Sequence, residues 1–422
     1  MLTLYRILVW LVSPLLLRRL QRPAAGHPER AEQRAQRLGR FTLDRTASPI
    51  WVHAASVGEV NAAQGLIRAL RPSESNPVVV STFTVTGAAR VAELFGDSVE
   101  SVYAPIDTWF SVRRWLNAVA PRACLVIETE IWPELFVQIG RRGLPLALVN
   151  ARLTERSLRR TRRARGLFRR VMDACSLAIC QSKDDAERFE QLGLTPERIQ
   201  VSGNLKFDNP LPENIGRRAI ELRRRWGPRP AWVAGSTRPG EEGIVLEAHR
   251  TLRSRVPEAL LILAPRHPDR AAEIESQIRS AGLGLQGPDE PVAAETAVVL
   301  IDRLGVLLDC YAAASAAFVG GSLVDIGGHN LLEPAAFGKA VIAGPHLHQQ
   351  AEAAAALRAN DALVEVADAD DLARAVESIW SHPERALEQG RAALEVVENG
   401  RGSVRRTLRL LEPLLISRSE AD

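Results

Sequence analysis

From residue 50 to residue 201, short apolar runs alternate with amphipathic stretches at the spacing of strands and helices in turn. Near-continuous apolar runs at 50–53, 78–82, 123–127, 146–150 and 199–201 read as strands covered on both faces, which lack the polar alternation of half-exposed ones. Between them, residues 60–70, 87–95, 133–139 and 184–192 place apolar positions on one helical face. The pattern breaks over 209–230, where Pro210, Pro212, Pro228 and Pro230 flank the charged stretch ELRRRW. It then restarts, with strands expected at 231–234, 259–264, 298–301, 317–320, 341–343 and 362–366 and a helical tail from Asp370. This is an α/β pattern of two Rossmann-like, doubly wound parallel-sheet domains, and it predicts that they face a cleft. The expected divisions are an N-terminal helix over 1–22, a first domain over 40–208, a linker over 209–230, a second domain over 231–400 and a C-terminal helix and tail over 401–422.

The first 22 residues are of another kind. Residues 7–17 read ILVWLVSPLLL, preceded by Arg6 and followed by Arg18, Arg19 and Arg22. A spanning helix needs about 20 apolar residues, and this stretch is shorter even when extended back to Leu2. A secretory signal carries its positive charge ahead of the apolar core, whereas here the arginine cluster follows it. A short membrane anchor or a helix lying in the bilayer interface remains, with the arginines at the headgroups on the cytoplasmic side.

Composition refines this picture in a few places. At 422 residues and 46% hydrophobic content the chain exceeds one ordinary domain and is not disordered. The net charge of +4 matters less than its distribution, because nine arginines fall between Arg152 and Arg170 with only Glu155 to balance them. That segment suits an anionic lipid surface or substrate phosphates. Nucleic acid is disfavoured, since Phe168 is the only ring there for a base to stack on. Cys124, Cys175, Cys180 and Cys310 lie in or beside apolar runs without paired short spacing, as buried thiols of a reducing compartment would.

The candidate chemistry sits where strands turn into helices. HAASVGE (53–59) follows the first strand, and two readings fit it. Ser56 with Glu59 three residues on is the spacing of a capping box, and Glu59 at the edge of the cleft could equally serve as a general base. STFTVTG (81–87) offers hydroxyls and amides at a helix start, a common composition for turns. In ETEIWPEL (128–135), Glu128 and Glu130 close an apolar strand, which requires either a structural ion pair or a role in a site. Lys206, in VSGNLKFD (201–208), could reach a phosphate or carboxylate or pair with Asp208. In the second half, four glycines between 320 and 328 let a backbone wrap closely around a ligand, and a helix start after Gly328 could accept an anion, with Asn330 and Glu333 one turn apart. Plain turn glycines are the other reading. No phosphate-binding or dinucleotide fingerprint is present, and no histidine and acid spacing suits a metal.

In order, HAASVGE, STFTVTG, ETEIWPEL, NARLTERS, VSGNLKFD, GST, APRHPDR, FVGGSL, GGHNLLEPA and GPH resemble the 3-deoxy-D-manno-octulosonic acid (Kdo) transferase family across roughly residues 50 to 350. The resemblance implies a GT-B fold, no cofactor, and inverting transfer of Kdo from CMP-Kdo to the lipid A precursor lipid IVA in lipopolysaccharide biosynthesis. It implies an enzyme at the cytoplasmic face of the inner membrane of a Gram-negative bacterium. By position, Glu59 matches the general base, while Glu128 and Lys206 match residues that support the transition state. Pro265, Arg266 and His267 fall in the expected cytidine monophosphate pocket, with Leu304, Gly305, Val306, Asn330, Leu331, Leu332 and Glu333. The donor phosphate would be held by glycine-loop amides, Arg266 and Lys206. A nucleotide-sugar epimerase of the same architecture would use neither the apolar N-terminus nor the arginine segment. The chain departs from the family pattern at Arg238 (usually His), at Arg303, at Val306 (usually an acid) and at Gln349-Gln350 (usually Asn-Phe), all positions that bear on the donor. The number of Kdo units transferred and the oligomeric state are not written in the sequence.

Overall fold

A computed structural model describes residues 1–20, 30–43, 47–161, 164–289 and 291–416. Gln21 and Arg22 of the N-terminal segment, Arg162 and Arg163 of the arginine segment, and the tail from 417 lie outside the described residues. The chain divides into two compact units, Met1–Pro210 with Gly400–Asp422, and Leu211–Asn399.

The first unit contains, in order, α1 (Leu2–Leu20), α2 (Arg30–Arg37), β1 (Ile50–His53), α3 (Val57–Ala69), β2 (Val78–Thr82), α4 (Val85–Phe95), β3 (Glu100–Tyr103), α5 (Trp109–Val119), β4 (Ala123–Ile127), α6 (Pro133–Arg141), β5 (Leu146–Ala151), α7 (Glu155–Thr161), α8 (Arg165–Asp173), β6 (Leu177–Cys180), α9 (Lys183–Leu192) and β7 (Ile199–Val201). Its seven strands are all parallel, in the order β3-β2-β1-β4-β5-β6-β7. Both faces of the sheet are covered, which explains the near-continuous apolar strands. Trp51, Cys124 and Val126 pack to one side with Trp115 and Phe136, and Ile50, Val52, Leu125 and Ile127 pack to the other with Leu66 and Ile67.

The second unit runs α10 (Ile215–Trp226), β8 (Ala231–Thr237), α11 (Glu241–Arg255), β9 (Leu260–Pro265), α12 (Ala271–Ser280), β10 (Leu285–Gln286), β11 (Val298–Leu300), α13 (Leu307–Ala313), β12 (Ala316–Val319), α14 (Leu332–Ala335), β13 (Val341–Ala343), α15 (Ala351–Ala359), β14 (Leu363–Glu365), α16 (Ala369–Ser381) and α17 (Pro383–Gly400). The sheet order is β10-β11-β9-β8-β12-β13-β14, again parallel throughout. A last helix, α18 (Ser403–Ile416), belongs to the first unit, where it packs on α3 and puts Leu411 in the core. The alternation thus has the two parallel α/β sheets that the sequence predicts.

Three strands absent from the sequence reading, β3, β6 and β10, complete the two sheets. Within the stretch expected as a linker, residues 215–226 form α10. It packs on α13, with Ala219 and Trp226 buried and with Arg218 Nε donating to Asp309 at 2.9 Å.

The beginning of the N-terminal helix is docked. Leu2 is buried, the Tyr5 hydroxyl donates to Asp107 at 2.6 Å, and Arg6 grips both oxygens of the fully buried Glu134 at 2.7 and 3.1 Å. Beyond Arg6 the large apolar side chains Ile7, Leu8, Trp10, Leu11, Val12 and Leu15 are all more than half exposed. Among the described residues no helix is long and apolar enough to cross a membrane.

Candidate active site

In the first sheet the winding reverses between β1 and β4. Ligands of open parallel sheets bind beyond the carboxyl ends of the strands at such a switch point. Glu59 follows β1 and Glu128 follows β4, so the two come from the strands that flank it.

Glu59 lies in the first turn of α3, half-buried. The capping-box reading is only partly met, because Ser56 is the N-cap by its extended backbone but makes no side-chain cap to the helix. Instead its Oγ donates to Glu59 Oε1 at 2.9 Å, while the Ala55 amide donates to Oε2 at 2.6 Å. Both bonds favour the carboxylate, yet burial outweighs them, helped by the charges of Glu130 and Glu128, and pushes the carboxyl up to about 8. A carboxyl in that range can take a proton near neutral pH and part with it again.

Glu128 has φ 58°, the left-handed region that a residue with a Cβ rarely adopts. Strain of this kind persists where surroundings enforce it, here the Glu128 amide bound to the Val149 carbonyl at 2.9 Å. Its Oε1 lies 3.3 Å from Lys206 Nζ. Lys206 therefore does not pair with Asp208, whose carboxylate instead accepts the Gly402 and Val404 amides at 2.6 and 2.5 Å. Glu130 is also raised by burial and by Glu128, although the Trp132 indole donates to it at 2.9 Å. Trp132 stands edge-on to His53 and Phe83, which ties the acid loop to the end of β1 and to the turn after β2.

Lys206 is positioned by a chain of buried amides that the sequence reading passed over. Asn150, itself at φ 54° in a bulge of β5, accepts the Leu205 amide on Oδ1 at 3.0 Å and the Gln181 side chain on its carbonyl at 3.0 Å. Gln181 in turn accepts from Asn204 at 3.2 Å, and Asn204 Oδ1 accepts the Lys206 amide at 3.1 Å. The signal available in the sequence was Asn150 closing an apolar strand, since asparagine is among the few residues that tolerate φ > 0.

The second sheet reverses between β8 and β12. At the end of β8, Ser236 takes φ 56° and the turn delivers Arg238. The Arg238 side chain donates from Nε to His329 Nε2 at 3.1 Å and from Nη1 to His267 Nε2 at 2.7 Å. Arg266 follows β9, half-buried, and adds to the positive field that, after burial, lowers both histidines; His329 is brought to about 3. Pro265 is buried at the end of β9, in register with Thr237.

Here the start of the glycine loop has partners of its own. The amides of Gly321, Ser322 and Leu323 donate to the buried carboxylate of Glu241 at 2.7, 3.0 and 2.9 Å, and that of Gly320 donates to the Gly235 carbonyl at 2.8 Å. The amides of residues 320–323 at the start of the glycine loop are thus already occupied by the chain itself. The reason for the glycines is close approach: a Cβ at Gly320 would lie 2.7 Å from Thr237 Cα, and one at Gly321 would lie 2.9 Å from the His329 ring. Glu242, beside Glu241, is paired with Arg270 at 2.7 Å.

The other expected donor contacts are more dispersed. Leu331 and Leu332 have buried side chains, so a ligand could meet them only through backbone. Asn330 Nδ2 donates to Glu333 at 3.2 Å and Asn330 Oδ1 accepts the Leu332 amide at 3.2 Å. Leu304 is 70% exposed, beside Gly305 at φ 89° and half-buried Val306. Arg303 pairs with Asp289, and the Gln349 and Gln350 side chains donate to the Ile326 and Gly328 carbonyls at 2.7 and 3.5 Å, bracing that glycine turn.

Comparison with known proteins places this arrangement. Residues 31–209 match the family described as 3-deoxy-D-manno-octulosonic-acid transferase (kdotransferase). The 3-deoxy-D-manno-octulosonic acid transferase of Haemophilus influenzae is 37% identical over 97% of this chain and 98% of its own length. That of Bordetella pertussis is 34% identical over 97% and 96%. Among solved structures, the UDP-GlcNAc 2-epimerase of Neisseria meningitidis covers 87% of this chain and 99% of its own at TM-score 0.60, but at 14% identity it shares the fold alone. A crystal structure of the C-terminal CMP-Kdo binding domain of WaaA from Acinetobacter baumannii is 26% identical over 43% of this chain and 97% of its own, at TM-score 0.42. With full-length relatives above 30% identity, the chain belongs to the 3-deoxy-D-manno-octulosonic acid transferase family of glycosyltransferases.

Proposed function

We propose that the protein transfers Kdo from CMP-Kdo to a sugar hydroxyl of the lipid A precursor lipid IVA, with inversion at the anomeric carbon and Glu59 as general base. The observation that carries the assignment is the Glu59 carboxyl, pushed to about 8 by burial and by Glu130 and Glu128, at the switch point of the first sheet. As the acceptor oxygen bonds to the anomeric carbon, its proton passes to Glu59. The bond from that carbon to the CMP phosphate oxygen breaks, and the electron pair leaves with CMP. Attack on the face opposite the leaving group inverts the centre.

The Glu128–Lys206 pair adds fixed charge where the reacting centre turns oxocarbenium-like. The second unit is the reading for the donor, with Arg266 and His267 at the phosphate and Pro265, Leu304, Gly305, Val306 and Asn330 to Glu333 around the nucleotide. The lipid acceptor is supported by the exposed apolar side chains from Ile7 to Leu15 and by the arginines between Arg152 and Arg170. Both suit an enzyme at the cytoplasmic face of the inner membrane in lipopolysaccharide biosynthesis.

The test is incubation of purified protein with CMP-Kdo and the tetra-acylated precursor, reading product mass and CMP release. Added mass of one or more Kdo units is expected, and Glu59→Ala should remove at least the ~10²–10⁴-fold typical of general base catalysis. Near-normal turnover in that variant would sink the base assignment. Absence of product with bound CMP-Kdo would sink the acceptor.

A further inference from the structure

Arg238 is held in an unusual way for a surface-loop cation. Arginine has no acceptor, so His329 and His267 must both present Nε2 lone pairs to it, which places their protons on Nδ1. Two neutral rings therefore fix the guanidinium from Nε and Nη1, and Nη2 hydrogen-bonds to no protein atom among the described residues. Two nearby acids are committed elsewhere. Glu241 gathers four backbone amides, including that of Arg238, and Glu242 is paired with Arg270. Neither Arg238 nor Arg266 ion-pairs with a carboxylate among the described residues.

Two further features mark this end of β8. Ser236 sits at positive φ, and the fully buried Thr237 hydroxyl has no hydrogen-bond partner. A strained strand end, an unpartnered hydroxyl and two cations that form no ion pair among the described residues stand together at the switch point of the sheet, a place suited to an anion. The amides of Gly321, Ser322 and Leu323 are not open to it, because Glu241 fills them.

We infer that Arg238, aimed by His267 and His329 and joined by Arg266, clamps the phosphate of the cytidine nucleotide. This rests on the reading of CMP-Kdo as donor and assigns its anionic group to a guanidinium fork rather than to a backbone nest. The planar fork suits two phosphate oxygens at once and stays with the group as it leaves on CMP.

The experiment is calorimetric titration of CMP and of cytidine into the full chain and into Arg238→Ala, Arg238→Gln and Arg238→Lys. The wild type should favour CMP over cytidine. Arg238→Ala should lose roughly 10- to 100-fold in CMP affinity with cytidine unchanged, the range for a charged hydrogen-bonding group. Arg238→Lys should recover part of the loss, keeping charge without the fork. Arg238→Gln can still donate to the histidines, so it tests the charge even if the alanine variant folds poorly. Equal CMP affinity across the set would overturn the clamp alone, as would a parallel loss of CMP and cytidine. A wild type that binds cytidine but gains nothing from the phosphate would overturn it too. A wild type that binds neither would overturn the donor reading, and the clamp with it.

Discussion

Glu59 shows how a residue's surroundings decide what its chemistry can be. The folded chain holds its proton up to about pH 8, while the unfolded chain releases it near the ordinary carboxyl value of 4.5. Folding therefore takes up a proton between those limits, and this group's contribution to stability is complete below pH 4.5, declines toward pH 8 and is flat above. Activity runs the opposite way, since a base must be deprotonated, so kcat/KM should rise with pH through about 8. Glu59→Gln separates the two: its melting temperature should lie closest to wild type near pH 4.5 and exceed it at pH 8, while turnover is lost. Coincident melts at both pH values would mean that Glu59 is solvated like a surface carboxylate. Lys206→Met extends the same logic, because removing the cation beside Glu128 leaves the acids less compensated. Its pH–rate profile should move to higher pH, and an unmoved profile would separate Lys206 from the base. The identity of these residues was legible, since each follows an apolar strand. Their partners were not. Lys206 could pair with Asp208 or with Glu128 on spacing alone, and only the fold brings residues 128 and 206 to 3.3 Å.

At the scale of elements, the N-terminal helix does two things at once. Its side chains Ile7, Leu8, Trp10, Leu11, Val12 and Leu15 are exposed, but its first turn closes a buried polar junction at the start of α6. Asp107 accepts the Glu134 and Leu135 amides there as well as the Tyr5 hydroxyl, and Glu134 receives Arg6 and Gln138. Because α6 begins directly after the loop of Glu128, Glu130 and Trp132, deleting residues 1–22 would disturb that loop as well as any membrane contact. Point variants distinguish the roles. Arg6→Ala leaves Glu134 buried without its cation and should cost about 3–5 kcal/mol, read by denaturant unfolding. Leu11→Gln should leave stability nearly unchanged but reduce sedimentation with anionic vesicles. Equal stability losses in both would mean that the helix is simply a structural element. The sequence made this helix visible by its apolar run, yet hid its docking, which depends on acids more than 100 residues away. It likewise hid β6, because Leu177–Cys180 follows the apolar residues Val171, Met172 and Cys175 of the preceding helix and turn with little change of period. The edge strand β3, reading ESVY, begins with a charged residue and is covered only in its second half.

At the scale of the molecule, the chain order and the spatial order disagree at one point. Residues 400–416 come after the whole second unit, yet complete the first. Leu411 is fully buried against the α3 side of the first sheet, and Asp208 satisfies its carboxylate with the amides of Gly402 and Val404. A periodic pattern marks such a tail as helical but cannot say which core it joins, because either sheet offers an apolar face. The consequence is that the first unit stays incomplete until the last residues are in place, and that its defects should not spread to the second. Leu411→Ala should destabilise by about 2–5 kcal/mol, the range for emptying a buried leucine site. In calorimetry that loss should appear as a downward shift of one transition, with the other where it stands in wild type. A chain stopped at residue 399 should go further, losing the first unit's cooperative transition while keeping the second's. If both transitions moved together in the Leu411→Ala variant, the two units would be melting as one body, and the tail would be a tie for the entire chain rather than the closing piece of its first half.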